Sequence, residues 1–524
     1  MSTISTAVGL DRISRVSGYN VKRGVFTTDT QNLPQIIAVF GEANMANQMG
    51  LSTAKTEVTS AEEAAELYGY GSPIHSQMRI LRPSSGDGVG GIPTIVFPQI
   101  TDDQATPSMR EWTVSGTANA NTTHYIVVNG RTSLDFRPYT FDVKIGDTAS
   151  QIANKIVDAV NSVISAPCTA SNDDEVITFT TKWAGLTSSE FNITILYGEP
   201  GFNSSLSAGI SYSFTDSIDG AGGVDLADSL EQFGDDWYTI VTNPYGSSQL
   251  SILEQFNGLP NDINPTGRYS GLTFKPFCAY FGSTLSDKDD LINITNNVAR
   301  IGQVTNVLCP APESLGFTWE AAANVVSLAS VVYQNNPNLD VNNLSYPDMP
   351  TPISGNIGDM KDYNNRDFLV KKGCSTVMLK NGSYVVQDLV TTYHPDGEIP
   401  LQYAYPRNLN IDWNVADSYR TFERLYLQDK TLVADGQIVD VDGCIKPKEW
   451  KGLVYELFDN IAQKALINDP EFSKSSMVVQ ISTLNPNRFE TTFKYKRTGI
   501  ARIQSTTATA GFGGAGNTFN SGNV

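Results

Sequence analysis

Three histidines, five cysteines and a few acidic or glycine-rich runs are the side chains of this sequence with chemistry to offer. His75, His124 and His394 fall in three different predicted regions, so no histidine pair is set up for acid–base work or metal binding. Neither His-Glu-x-x-His nor Gly-x-Ser-x-Gly occurs. Cys309 stands at the end of a predicted strand, where a nucleophile is often displayed, but no histidine lies near it in sequence. A buried structural thiol is the expected reading. Cys168, Cys278, Cys309, Cys374 and Cys444 are widely spaced, without a Cys-x-x-Cys pair. That spacing suits reduced thiols in a cytoplasmic setting and implies no metal site. Asp440-Val441-Asp442-Gly443 imitates part of a calcium loop, yet Ile438 stands where a ligand is needed and the closing glutamate is out of register. The glycine run from Gly86 to Gly91 lacks a following Lys-Ser/Thr and precedes a strand, so it reads as a loop and not as a phosphate cradle. These residues nominate no catalytic, cofactor-binding or metal site, and the chain reads as non-enzymatic.

The elements that would position such groups are nevertheless those of an α/β protein. Ile36 to Phe40, ending at Gly41, is a continuous apolar run, the pattern of a strand buried on both faces. Thr59-Ser60 with Glu63 forms a capping box for a short helix, a second helix spans about Ser72 to Leu81, and Pro93 to Phe97 is another apolar strand. Further on, helices at Asp225–Phe233, Ser248–Phe256, Ser286–Arg300 and Thr318–Tyr333 alternate with strands at Trp237–Thr242, Thr273–Tyr280 and Val304–Cys309. Such alternation predicts a mainly parallel sheet covered by helices. The strand ends, among them Gly41-Glu42-Ala43 and Cys309-Pro310-Ala311-Pro312, form no phosphate cradle.

Between these halves the pattern becomes strand-rich. A polar linker, Thr101 to Arg110, opens the change, and Gly220 to Gly223 closes it as a flexible return. Tyr125 to Val128 runs into Asn129-Gly130, a hairpin signal, and Phe141–Ile145 and Val176–Thr181 are further strands. One amphipathic helix, Thr148 to Ile164, carries Ile152, Ile156, Val157, Val160 and Val163 on one face. Residues 106–220 therefore read as an inserted α+β module, acidic and protruding. It divides an α/β core made of residues 34–105 and 221–365. Pro337 to Pro352, rich in proline and asparagine, reads as a surface loop.

Residues 366–504 form a C-terminal α+β domain. Strands at Ser375–Lys380 and Ser383–Thr392 lead to a helix at Ala416–Lys430. After Pro447, the residues Trp450, Leu453, Val454, Leu457, Phe458, Ile461 and Ala465 fall on one helical face. A strand pair follows: Met477 to Leu484, a turn at Asn485-Pro486-Asn487, then Phe489, Thr491, Phe493 and Tyr495 alternating with polar residues. Residues 505–524 are a tail with too little apolar bulk to fold alone. Residues 1–33 are an extended arm carrying Tyr19, Val21, Val25 and Phe26.

The chain has 524 residues and a net charge of −19, unevenly spread. Residues 1–30 carry +2 and residues 485–524 carry +4, which leaves −25 on the body between. Basic ends on an acidic body suit contacts between copies of the same chain and argue against nucleic acid as the main partner. No apolar run approaches the roughly 18 residues a membrane span needs, and the N-terminus lacks the pattern of a signal peptide.

Several phrases, taken in this order of parts, carry a resemblance. They are Val58-Thr-Ser-Ala-Glu-Glu-Ala with Tyr68-Gly-Tyr-Gly-Ser72-Pro, then Thr113-Val-Ser-Gly-Thr117 and Ile145-Gly-Asp-Thr148. Asp388-Leu-Val-Thr-Thr-Tyr393 and Asn485-Pro486-Asn487-Arg488 complete the set, while Pro260 to Asn365 adds little. Together they resemble the contractile tail sheath proteins of bacteriophages, especially the Mu-like group. The resemblance implies a structural subunit without cofactors. Six-membered rings stack helically around a tail tube, with baseplate and tail terminator proteins at the ends. The subunit assembles in host cytoplasm and resides in the virion tail. Nucleic acid binding and membrane insertion are not implied. It further implies that both arms add strands to neighbouring subunits, here through Tyr19, Val21, Val25, Phe26, Phe489, Thr491, Phe493 and Tyr495. A helix of the C-terminal domain approaches the tube in such sheaths, which points to Lys446, Lys448 and Lys451. Tailocin and type VI secretion sheaths share these features, and an α/β enzyme with an unrecognised site is the alternative from another class.

Overall fold

The computed structural model describes residues 32–86, 88–201, 206–260, 265–395 and 402–510. Its architecture is mixed and multidomain, with α/β and α+β parts. The central sheet has six strands in the order Asn306–Pro310, Cys278–Ser283, Ile240–Thr242, Ile37–Glu42, Thr94–Gln99, Thr56–Glu57. The first five run parallel and the short last one antiparallel. Every residue of Ile37–Glu42 is buried, as its unbroken apolar run requires of a strand covered on both faces. The helix Thr318–Asn335 lies on the strand Cys278–Ser283, and a Cβ on Gly282 would come within 1.7 Å of the Thr318 carbonyl oxygen. Only glycine permits that approach.

Within residues 107–218 two sheets enclose the helix Ala149–Asn161. One contains Ile210–Ile218, Pro107–Gly116, Val176–Ala184 and Cys168–Asp173; the other contains Ile193–Leu196, Thr122–Val128 and Thr140–Val143. Thr148 and Gln151 make a complete capping box at the helix start. Asn129 and Gly130 both have positive φ, 43° and 75°, which a tight hairpin demands. Thr106 and Ala221 exchange backbone hydrogen bonds where the chain enters and leaves this region.

The C-terminal part packs its own core from Ile411, Val415, Trp450, Val454, Leu457, Phe458 and Ile461. Its two long helices are Pro406–Phe422 and Pro447–Gln463, each with proline in the first turn.

Several expectations are corrected. The helix expected at Ala416–Lys430 begins ten residues earlier, at Pro406, and gives way to a wider turn at Glu423–Leu427. Its early part was hidden because its buried face includes Asn410 and Asn414 as well as Leu409 and Trp413. At Ser60 the box is split: Ser60 accepts from the Glu63 N–H, but the Glu63 carboxylate binds the backbone and hydroxyl of Thr59. Ala465 lies past the end of its helix at φ 53°. The turn at Gly220 is packed and not free, since a Cβ there would meet the Ser188 hydroxyl at 1.8 Å. The loop 337–352 is anchored by buried Val341 and Tyr346. The arm residues Tyr19, Val21, Val25 and Phe26 lie outside the described residues.

Candidate assembly surfaces

The closing strands form a hairpin, Val478–Ile481 against Phe489–Thr492, with Val478 opposite Thr492 and Ile481 opposite Phe489. Alternation along it follows the sequence: Phe489, Thr491, Phe493 and Tyr495 are half-buried, and Thr492, Lys494 and Lys496 are exposed. The inward set packs on the chain's own helices. Phe493 sits 5.2 Å from the Tyr419 ring and 5.1 Å from Phe458, Thr491 accepts from Trp450 Nε1, and the Tyr495 hydroxyl donates to Asp412 at 2.7 Å. Regular pairing stops at Thr492, because Lys494 bonds the Ser476 hydroxyl instead, and Lys496–Arg497 then pairs with Ile467–Asn468. Among the described residues neither hairpin strand has a second strand partner, so each keeps an open backbone edge.

Beyond the hairpin the chain is fastened down. Arg407 donates to the Thr498 carbonyl and hydroxyl, and Arg502 binds both Asp340, whose side chain is buried, and Asp388, while lying 3.9 Å over the Tyr405 ring. Burial raises the carboxyl of Asp340, and the Arg502 guanidinium opposes that rise.

Lys446, Lys448 and Lys451 stand at the start of the helix Pro447–Gln463. Glu449 reaches back to the Lys446 N–H, and Asp435 takes the Lys448 N–H. Their ammonium groups make no ion pair among the described residues; Lys451 lies 5.7 Å from the Tyr455 ring centre. Three cations at a helix N-terminus oppose its dipole, so an anionic partner there would be stabilising.

A third group was not legible as a site. Glu42, at the carboxyl end of its core strand, is 1 % exposed and accepts from the Thr187 hydroxyl at 2.7 Å. Thr187 in turn accepts from Trp183 Nε1, and Trp183 packs edge-on against Phe317 and Trp319. The second carboxylate oxygen of Glu42 and the buried Tyr245 hydroxyl lie close to one another, and neither has another hydrogen-bond partner among the described residues. Burial pushes the Glu42 carboxyl up to about 7, against smaller lowering by its hydrogen bonds. Glu190 caps the helix Thr318–Asn335 through the Thr318 N–H and hydroxyl, and it too is raised by burial, to about 7. Arg131 pairs with buried Glu320 at 2.7 Å. These contacts bolt the region 107–218 to the central sheet. The only hint in sequence was an acid placed directly after an apolar strand.

The residues first considered for chemistry stay apart. The His75 ring accepts from the Gly71 N–H, and burial lowers it to about 4. His124 is held between the Tyr212 hydroxyl and the Leu206 carbonyl, and His394 between the Thr392 carbonyl and Asn296. The Cys309 thiol is fully buried and bonds the Val307 carbonyl. Among the described residues no three His, Cys, Asp or Glu side chains are grouped to hold a metal ion, and no helix is long and apolar enough to cross a membrane.

No family model matches the sequence. A curated relative does: the Mu-like prophage FluMu tail sheath protein of Haemophilus influenzae is 22 % identical over 444 residues, covering 82 % of this chain and 84 % of that one. The chain is similar to a tail sheath protein. The aligned length leaves room for both the core and the region inserted into it, so the similarity is not confined to one module. Among solved structures, a tail sheath protein from Desulfitobacterium hafniense aligns with 92 % of this chain at 9 % identity and a TM-score of 0.43. The contracted helical sheath of the anti-feeding prophage aligns with 95 % at 9 % identity and a TM-score of 0.40.

Proposed function

We propose that this chain is the structural subunit of a contractile phage tail sheath, of the Mu-like group. It polymerises as six-membered rings stacked helically around a tail tube, and it contracts to drive the tube through the host envelope. The observation that carries this reading is the similarity to a tail sheath protein along more than four-fifths of both chains. The open hairpin edges at Val478–Ile481 and Phe489–Thr492 support it, because a backbone edge accepts a strand from a neighbour by main-chain hydrogen bonds. The inward side chains of the hairpin are already occupied within the subunit, so an incoming strand would read backbone and the exposed side chains. Lys446, Lys448 and Lys451, without an ion pair among the described residues, suit the tube as partner, and baseplate and terminator proteins would meet the ends of the polymer. On this reading the subunit catalyses nothing. Contraction draws on interfaces less complete in the extended state than in the contracted one, a bistable packing and not a nucleotide cycle. Electron microscopy of the purified protein, alone and with its tube protein, tests the proposal. Striated tubes or stacked rings are expected, and uniformly compact particles under all conditions would refute it.

A further inference from the structure

The helix Thr318–Asn335 is apolar on every side; Glu320 is its one charged residue. A helix of that kind needs cover all round. One face lies on the strand Cys278–Ser283 and another against the helix Pro73–Leu81. The stripe left over, Leu328, Val331 and Val332 at i, i+3 and i+4, is only half-buried. With Ile80, Leu344 and Pro347 it lines an open groove of about 1020 Å³.

We propose that residues 1–31 of the same chain occupy this groove in the unassembled subunit. The described chain begins at the end of that very helix. The Asn32 side chain donates to the carbonyls of Gln334 and Asn335 at 3.1 and 3.2 Å, and the Gln35 N–H donates to Gln334 Oε1 at 2.8 Å. Val332 is therefore within a single helical turn of the point where residues 1–31 join the described structure. Thirty-one residues span up to about 100 Å when extended, far more than the groove needs. The segment brings apolar side chains at Val16, Tyr19, Val21, Val25 and Phe26, and residues 1–30 carry +2. At the groove rim Asp135 pairs with Arg79 and Asp348 with Arg131, which leaves Glu62 without an ion pair among the described residues to complement the basic segment. The occupant is thus a segment of this chain, resting where it leaves the core before any neighbour takes it up.

The test uses full-length, unassembled subunit and needs no polymer. Phe26 is replaced by a photo-crosslinking phenylalanine analogue, and light and ¹⁵N-labelled copies are mixed before irradiation. Crosslinks to the peptide containing residues 327–332 are expected, with mixed-isotope pairs lost. Mixed pairs as abundant as uniform ones would assign the groove to a second copy and overturn the proposal, as would crosslinks elsewhere or none. Val331→Asp should abolish the crosslink and speed trypsin cleavage after Arg23 by roughly tenfold or more, as release of a docked segment does. Should that variant misfold, cleavage after Arg23 in the wild type, compared with an isolated peptide of residues 1–31, decides the matter. Equal rates would refute docking.

Discussion

Replacing Glu42 by glutamine tests how the region 107–218 is held on the central sheet. Glu42 is buried with one oxygen bonded to Thr187 and the other beside the Tyr245 hydroxyl, and its carboxyl is raised from 4.5 to about 7. The folded protein therefore binds a proton there between about pH 4.5 and 7 that the unfolded chain releases. The stabilising contribution is complete below the unfolded value and is lost as pH rises through the folded one. A shift of that size corresponds to about 3 kcal/mol between the two limits. Glu42→Gln keeps the shape and an acceptor for Thr187 but cannot ionise. At pH 5 the variant should match the wild type within about 1 kcal/mol; at pH 8 it should be the more stable by about 2–3 kcal/mol. Because a chain with several domains need not unfold in two states, the readout should be local. Hydrogen exchange over residues 183–190 at several pH values provides it, since Trp183, Thr187 and Glu42 form one hydrogen-bonded chain. The same pH dependence in wild type and variant would refute the assignment of this proton to Glu42.

Three further outcomes are expected. Thr492→Pro, at an exposed position of the closing hairpin, should leave folded subunits that fail to polymerise, as should removal of residues 1–28; sedimentation and microscopy read the difference. Proline at Phe493 or Tyr495 is a poorer test, because it would also remove packing on Tyr419 and the bond to Asp412. Charge reversal at Lys446, Lys448 and Lys451 together should weaken assembly on the tube while sparing tube-free sheath, with unchanged salt dependence of co-sedimentation counting against a tube-facing role. Deleting residues 107–220 should preserve ring stacking, since Thr106 and Ala221 already pair; the melting temperature should fall, because Glu42, Glu320 and Trp319 lose Thr187, Arg131 and Trp183.

The sequence by itself determined what depends on local pattern. The unbroken apolar run at Ile37 specified a strand buried on both faces, Pro93 to Phe97 specified another strand, and alternation of strands and helices specified a parallel sheet. The Asn129-Gly130 turn was likewise local, since it bends its own backbone. Period-two alternation gave the inward and outward faces of Phe489–Tyr495. What only the tertiary structure decided are contacts between groups far apart in the chain. No spacing rule brings Arg502 to Asp340, or Glu42 of the first strand to Thr187. The early half of the helix at Pro406 was obscured because Asn410 and Asn414 sit in its buried face, where their side-chain oxygens accept from Gln35 Nε2 and the Leu33 N–H. Burial of a polar group is favourable only when a partner is present, and that partner is set by the fold, not by the neighbours in sequence.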